Sequence, residues 1–222
     1  MRRFNLAKII DHTNIKAKAT ARDIKKTCQE AKRYKFRGVC VNPEWVKFVR
    51  EELKGTGIKT VVLIDPPMGL SPHTKRVEVA KQAKKDGADE IDMVINVGRF
   101  LCGDDDYIVS EIKKVKEICG DKILKVILET CYLTDNQIVQ ACKLAKIAGA
   151  DFVKTSTGFG TGGAKIGHIR LMHKTVGNEL GIKASGGIRD AKTAIAMINA
   201  GATRIGASAG IKIVEGLKRI NE

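Results

Sequence analysis

The chain has 222 residues, with 40 lysines and arginines against 25 aspartates and glutamates, a formal net charge of +15. A hydrophobic content of 43% supplies a buried core, and no apolar run nears the ~20 residues that a membrane-spanning helix needs. Basic pairs such as Lys25-Lys26, Lys84-Lys85 and Lys113-Lys114 are spread along the chain and aromatics are only 5%, which favours solvated helix faces over nucleic-acid binding while leaving an attraction for phosphorylated ligands.

From the N-terminus, short apolar runs alternate with amphipathic stretches. Strands are expected over 9–12, 38–41, 60–64, 90–95, 124–128, 151–155, 182–184 and 204–206. Helices are expected over 20–34, 44–54, 73–86, 105–118, 134–147, 165–176, 190–200 and 211–219. Thr134 with Gln137 three residues later reads as a capping box, and Asp190 as an N-cap. Gly87, Gly149 and Gly201 each end a helix, and each is followed by alanine and a strand. Eight strand–helix units in this length predict a single (β/α)8 barrel over 1–222. The structural rival is an open doubly wound sheet, weakened because no G-x-G-x-x-G follows an early strand.

In such a barrel, polar side chains at the C-terminal strand ends carry the chemistry. Charges interrupt four otherwise apolar strands: Asp92 in "DEIDMVINVG", Lys125 with Glu129 in "ILKVILET", Lys154 in "DFVKTSTG" and Lys183 in "LGIKASGGIRD". Each alone reads equally well as part of a structural ion-pair network. That is the favoured reading for Lys125 and Glu129, which share a strand face by period-two spacing. Two lysines on adjacent strands are different, because structure gains nothing from crowding like charges. A neighbouring ammonium and burial both favour the neutral amine that attacks a carbonyl. Lys154, Lys183 and Asp92 therefore form a candidate Schiff-base set.

Glycine-rich turns follow the last three strands: "STGFGTGG", "SGGIRD" and "GASAG". Backbone N–H groups in such turns approach anions closely. The six cysteines (Cys28, Cys40, Cys102, Cys119, Cys131 and Cys142) include no C-x-x-C pair and read as reduced thiols of a cytoplasmic protein. The four histidines form no H-E-x-x-H pattern, so no metal site is expected. The opening "MRRFNLAKIIDHTNIKAKAT" lacks the long apolar region and cleavage site of a signal peptide.

The segments "DEIDMVINVG", "LKVILET", "DFVKTSTGF" and "IKASGGIR", in this order and spacing, resemble the deoxyribose-phosphate aldolases, class I aldolases with a (β/α)8 barrel. The resemblance runs from "IIDHTNI" to "RIGASAGIKIVEG". It implies reversible cleavage of 2-deoxy-D-ribose 5-phosphate to D-glyceraldehyde 3-phosphate and acetaldehyde, without a cofactor. By position, Lys154 is the Schiff-base lysine, Lys183 its pKa-lowering neighbour and Asp92 the proton-transfer group working through a water. Phosphate contacts are implied for Gly158, Gly186, Gly187, Gly206 and Ser208, and Asp11 and Thr13 also match. Phe159 stands where the family can carry a lysine and Ala209 where a second serine is common, so Arg189 or Lys165 is expected to supply charge. Cys40 is expected as a packing thiol near the site. The implied partners are a sugar phosphate and aldehydes, with no nucleic acid and no membrane. A homodimer or higher homo-oligomer is the default assembly. Three alternatives stay open: a sugar-phosphate isomerase or synthase barrel that forms no imine, a nucleic-acid-binding module, and a catalytically silent barrel.

Overall fold

The computed structural model describes residues 5–220. Eight parallel strands follow one another around the sheet: β1 (Ile10–Asn14), β2 (Gly38–Val41), β3 (Lys59–Ile64), β4 (Glu90–Val94), β5 (Ile123–Ile127), β6 (Phe152–Lys154), β7 (Gly181–Ser185) and β8 (Arg204–Ala207). β8 pairs back to β1, with Asp11 opposite Gly206. That ladder makes the (β/α)8 barrel and rules out the open sheet.

Helices α1 (Ala21–Tyr34), α2 (Val46–Glu52), α3 (His73–Lys85), α4 (Val97–Leu101), α5 (Asp105–Cys119), α6 (Asp135–Ile147), α7 (Ile166–Val176), α8 (Ala191–Asn199) and α9 (Gly210–Ile220) surround it. The one-turn α4 was not expected; the Asn96 side chain starts it by accepting from the Arg99 N–H at 3.0 Å. The helix expected over 44–54 is divided, because a 3-10 turn over Pro43–Trp45 precedes α2. The Thr134–Gln137 capping box is present, and Asp190 caps α8 through the Thr193 N–H.

The recurring Gly-Ala pair has one local cause. Gly87, Gly149 and Gly201 all take positive φ, at 97°, 81° and 117°. The N–H of the following alanine then reaches back five residues: Ala88 to Ala83, Ala150 to Ala145 and Ala202 to Met197, at 2.9, 3.1 and 3.0 Å. This closure turns each helix directly into the next strand.

Strand side chains alternate between two buried layers. Val39, Val62, Ile91, Val126, Val153, Ile182 and Ile205 fill the space between barrel and helices. Each stabilises the fold by roughly 1.5–3 kcal/mol relative to exposure. The residues one step away point into the barrel, and they carry the charges.

One expectation about those charges fails. β5 ends at Ile127, and Glu129 takes left-handed backbone angles, φ 53° and ψ 59°, at the start of a 3-10 turn over Thr130–Tyr132. Period-two spacing stops where the strand stops, so Glu129 does not share a face with Lys125. Only Lys125 joins the barrel's ion pairs.

Candidate active site

β4, β5, β6 and β7 bring four charges together inside the barrel. Asp92 lies opposite Lys125, and Lys154 lies opposite Lys183. The Asp92 carboxylate sits among three ammonium groups: Oδ1 is 2.7 Å from Lys125 Nζ, while Oδ2 is 2.8 Å from Lys154 Nζ and 2.7 Å from Lys183 Nζ. Lys183 also reaches Asp11 Oδ2 at 2.5 Å. Below, Glu90 Oε2 pairs with Lys125 at 2.6 Å and with Arg204 at 2.9 Å, and Arg204 returns to Asp11 Oδ1 at 3.0 Å. The Arg204 guanidinium lies over the Phe152 ring, 5.3 Å from its centroid.

The sequence reading omitted Glu90 and Arg204. Glu90 was legible as the residue two before Asp92 on the same face. Arg204 was not, because only closure of β8 against β1 brings it to Asp11.

These buried groups comprise four cations (Lys125, Lys154, Lys183 and Arg204) and three carboxylates (Asp11, Glu90 and Asp92). Charge inside a barrel is tolerated only when compensated. The half-exposed Arg37 adds a further cation to Glu90 Oε1 at 3.5 Å, so cations outnumber carboxylates, and the surroundings select which one gives up its proton. Burial pulls Lys154 below the ordinary lysine range; Asp92 opposes that pull, and the Lys183 cation adds to it. Burial acts on Lys183 too, but the Asp11 and Asp92 carboxylates outweigh it and hold Lys183 charged. Burial would raise Asp92, yet Lys125, Lys154 and Lys183 hold it well below the carboxylate range. Asp11, with burial likewise overcome by Lys183 and Arg204, is lowered to about 2. Lys154 is thus the amine poised to lose its proton.

A cavity of about 680 Å³ opens at the C-terminal end of the strands. Of the three lysines buried in the barrel, only Lys154 lines it among the described residues; Lys183 and Asp92 lie behind Lys154. Gly158, Gly186, Gly187, Gly206 and Ser208 all line the same cavity, as do Thr13 and Cys40. Burial pushes the Cys40 thiol up, as expected of a packing thiol. Arg189 lines the cavity and Lys165 does not. Phe159 sits at the mouth, 48% exposed, whereas Ala209 borders a separate cleft beside α9.

Close approach explains two of the glycines. A Cβ on Gly206 would come within 2.9 Å of Ser185 Cβ and 3.0 Å of Lys183 Cε, so its absence makes room for the Lys183 stem. A Cβ on Gly163 would meet the Gly186 carbonyl oxygen at 2.3 Å. The loop after β6 therefore lies directly on the turn after β7, joined by the Ala164 N–H donating to Ser185 O and Gly186 O.

Related chains match this one over nearly its whole length. A family model for DeoC/LacD family aldolases matches residues 6–216. The chain belongs to this aldolase family. It is an aldolase, a carbon–carbon lyase. It is similar to the deoxyribose-phosphate aldolase of Aciduliprofundum boonei, 55% identical over 218 residues that cover 97% of this chain and 98% of the relative. The deoxyribose-phosphate aldolase of Thermococcus gammatolerans is 53% identical over 218 residues, 96% of this chain and 97% of its own. Among solved structures, a tetrameric deoxyribose phosphate aldolase from Aeropyrum pernix superposes with a TM-score of 0.91 at 29% identity, over 97% of this chain and 92% of that one. No helix of the aldolase is long and apolar enough to cross a membrane among the described residues.

Proposed function

We propose that the aldolase reversibly cleaves 2-deoxy-D-ribose 5-phosphate to D-glyceraldehyde 3-phosphate and acetaldehyde through a Schiff base on Lys154. The observation that carries this reading is the Lys154 amine: it lines the cavity, and burial, with the Lys183 cation adding to it against Asp92, lowers its pKa. The relatives named above act, by name, on the same substrate.

In the cleavage direction, neutral Lys154 Nζ attacks C1 of the open-chain sugar. The carbinolamine loses its hydroxyl as water and becomes a protonated imine. A base takes the C3 hydroxyl proton, and the C2–C3 bond breaks with its electron pair drawn toward the iminium nitrogen. Glyceraldehyde 3-phosphate leaves, an enamine remains, and protonation at carbon followed by hydrolysis returns acetaldehyde and the amine. Asp92 orients the amine and moves protons through a water; a carboxylate crowded by ammonium groups relays a proton rather than storing it. Lys183 stays charged and keeps the Lys154 pKa low. Gly158, Gly186, Gly187, Gly206 and Ser208 receive the phosphate with backbone N–H groups and one hydroxyl, and Arg189 contributes charge at the rim. On this reading the aldolase needs no cofactor and works in the cytoplasm, in the breakdown of deoxyribonucleotides. It does so as one catalytic domain over 1–222, within a homodimer or higher homo-oligomer.

The direct test is borohydride reduction in the presence of acetaldehyde, followed by peptide mass spectrometry. A two-carbon adduct on Lys154 is expected. Folded protein that gains no adduct, or gains it elsewhere, sinks the Schiff-base assignment and returns the non-covalent sugar-phosphate barrel.

Lys183 gives a second test, through pH. Its ammonium favours neutral Lys154, so Lys183→Met raises the Lys154 pKa and reduces the neutral fraction at pH 7. Each unit of rise costs about tenfold in free amine below the pKa. The acid limb of kcat/KM is expected to move to higher pH, with activity partly restored under alkaline conditions. An unmoved acid limb would show that Lys183 does not tune the amine.

A further inference from the structure

Glu129 is fully buried, ionisable and unused by the reaction scheme above. Among the described residues it forms no ion pair with lysine, arginine or histidine, which is unusual for a carboxylate removed from water. Burial raises its pKa, opposed first by hydrogen bonds from Thr157. Its backbone is left-handed, φ 53°, a conformation that residues with a side chain adopt only where their surroundings enforce it.

The enforcement is visible on both sides. The Leu128 N–H donates to Lys154 O at 2.9 Å, and the Thr130 N–H donates to Thr155 O at 3.0 Å. Glu129 is thereby bracketed against the segment that leaves β6. Its carboxylate then takes over that segment's next turn. Oε2 accepts from the Thr157 N–H at 3.1 Å and from the Thr157 hydroxyl, and Cys131 Sγ lies 3.8 Å from Oε1. The Thr157 hydroxyl oxygen in turn accepts from the Phe159 N–H at 3.0 Å. Gly160 closes over the carboxylate so tightly that a Cβ there would lie 2.8 Å from Cys131 Sγ and 3.2 Å from Glu129 Cδ. Thr157, which this carboxylate holds, lines the cavity beside Lys154, as do Gly158 and Phe159, which follow it in the turn.

We infer that Glu129 is a positioning residue that sets the 157–160 turn in the shape that receives the phosphorylated end of the substrate. This rests on the proposed function and deepens it. A charged acceptor shared by a backbone N–H and a hydroxyl fixes a turn more firmly than neutral hydrogen bonds do. The strain at residue 129 persists because that turn needs an acceptor there.

The test is a comparison of KM with kcat. Glu129→Gln keeps the side-chain size and one acceptor oxygen but removes the negative charge, so the Thr157 hydrogen bonds lose their charge assistance. Its KM for 2-deoxyribose 5-phosphate is expected to rise by about tenfold, with kcat within about threefold of wild type. KM for unphosphorylated 2-deoxyribose should stay near wild type, because that substrate does not engage the turn through a phosphate. Thr157→Val is expected to produce the same split, and the double variant Glu129→Gln/Thr157→Val to be no worse than the poorer single variant, since both weaken the same interaction. If Glu129→Gln does not fold, Thr157→Val alone reads the same split. A fall in kcat with KM unchanged, an equal rise of KM for both sugars, or multiplicative effects in the double variant would overturn the inference. Borohydride trapping on wild-type protein stands apart from these outcomes: a missing Lys154 adduct defeats the Schiff-base reading itself, whereas a normal adduct with no KM split defeats only the role of Glu129.

Discussion

Lys154→Met abolishes turnover without costing the fold any stability. Loss of the nucleophile lowers kcat by on the order of 10^4 to 10^6, the range expected when the group that forms the covalent intermediate is removed. The stability outcome is the more discriminating one. Four buried cations face three buried carboxylates, and Lys154 is the cation whose charge is least supported. Methionine is similar in length and needs no counter-charge. Removing one partner of a buried pair is costly when it strands the other charge, but Asp92 keeps Lys125 and Lys183, so the loss of Lys154 leaves no carboxylate unpaired. Thermal melting should therefore show an unchanged or higher Tm. A clearly lower Tm would mean that Lys154 is a charged structural strut and that another group carries the chemistry.

Asp92→Asn moves both properties downward. The carboxylate is shared by Lys125, Lys154 and Lys183 at 2.7, 2.8 and 2.7 Å. Without its charge, Lys125 keeps Glu90 and Lys183 keeps Asp11, but the ammonium groups repel one another in a space closed to water. Removing one partner from a buried network costs about 3–5 kcal/mol. Loss of a positioned proton-transfer group lowers kcat by about 10^2- to 10^4-fold. The amine itself should remain reactive. Asp92 is the group that opposes the lowering of the Lys154 pKa, so its neutralisation leaves Lys154 still more readily deprotonated. Borohydride trapping on Lys154 is expected to persist in Asp92→Asn while turnover collapses. A variant that folds as stably as wild type, or that loses trapping and turnover together, would contradict this division of roles. Two side chains in direct hydrogen bond thus have opposite effects on stability, because one is the surplus charge and the other compensates three.

Much of the architecture was legible from local patterning. Apolar runs alternate with amphipathic stretches, and helix ends carry Thr134, Asp190 and three Gly-Ala turns whose geometry depends on a few neighbouring residues. Such signals act over one turn of chain, so a linear reading recovers them. Asp92, Lys154 and Lys183 stood out for the same reason, as charges set in strands that are otherwise apolar. The division of 44–54 and the extra α4 were missed because weak helical patterning does not disclose where a 3-10 turn or an asparagine cap interrupts it.

The sequence by itself determined the barrel class, the order of its elements, the buried lysine pair Lys154 and Lys183 and the glycine turns around the cavity, because each is written in residue type and short-range period. Only the tertiary structure decided the rest. Closure of β8 on β1 carried Arg204 to Asp11 and completed the charge count that leaves Lys154 as the poised amine. The end of β5 at Ile127 turned Glu129 away from Lys125 and toward Thr157. Both outcomes depend on groups far apart in the chain sharing one buried volume. There, the cost of leaving a charge or an N–H unmatched selects the partners, and spacing along the chain does not.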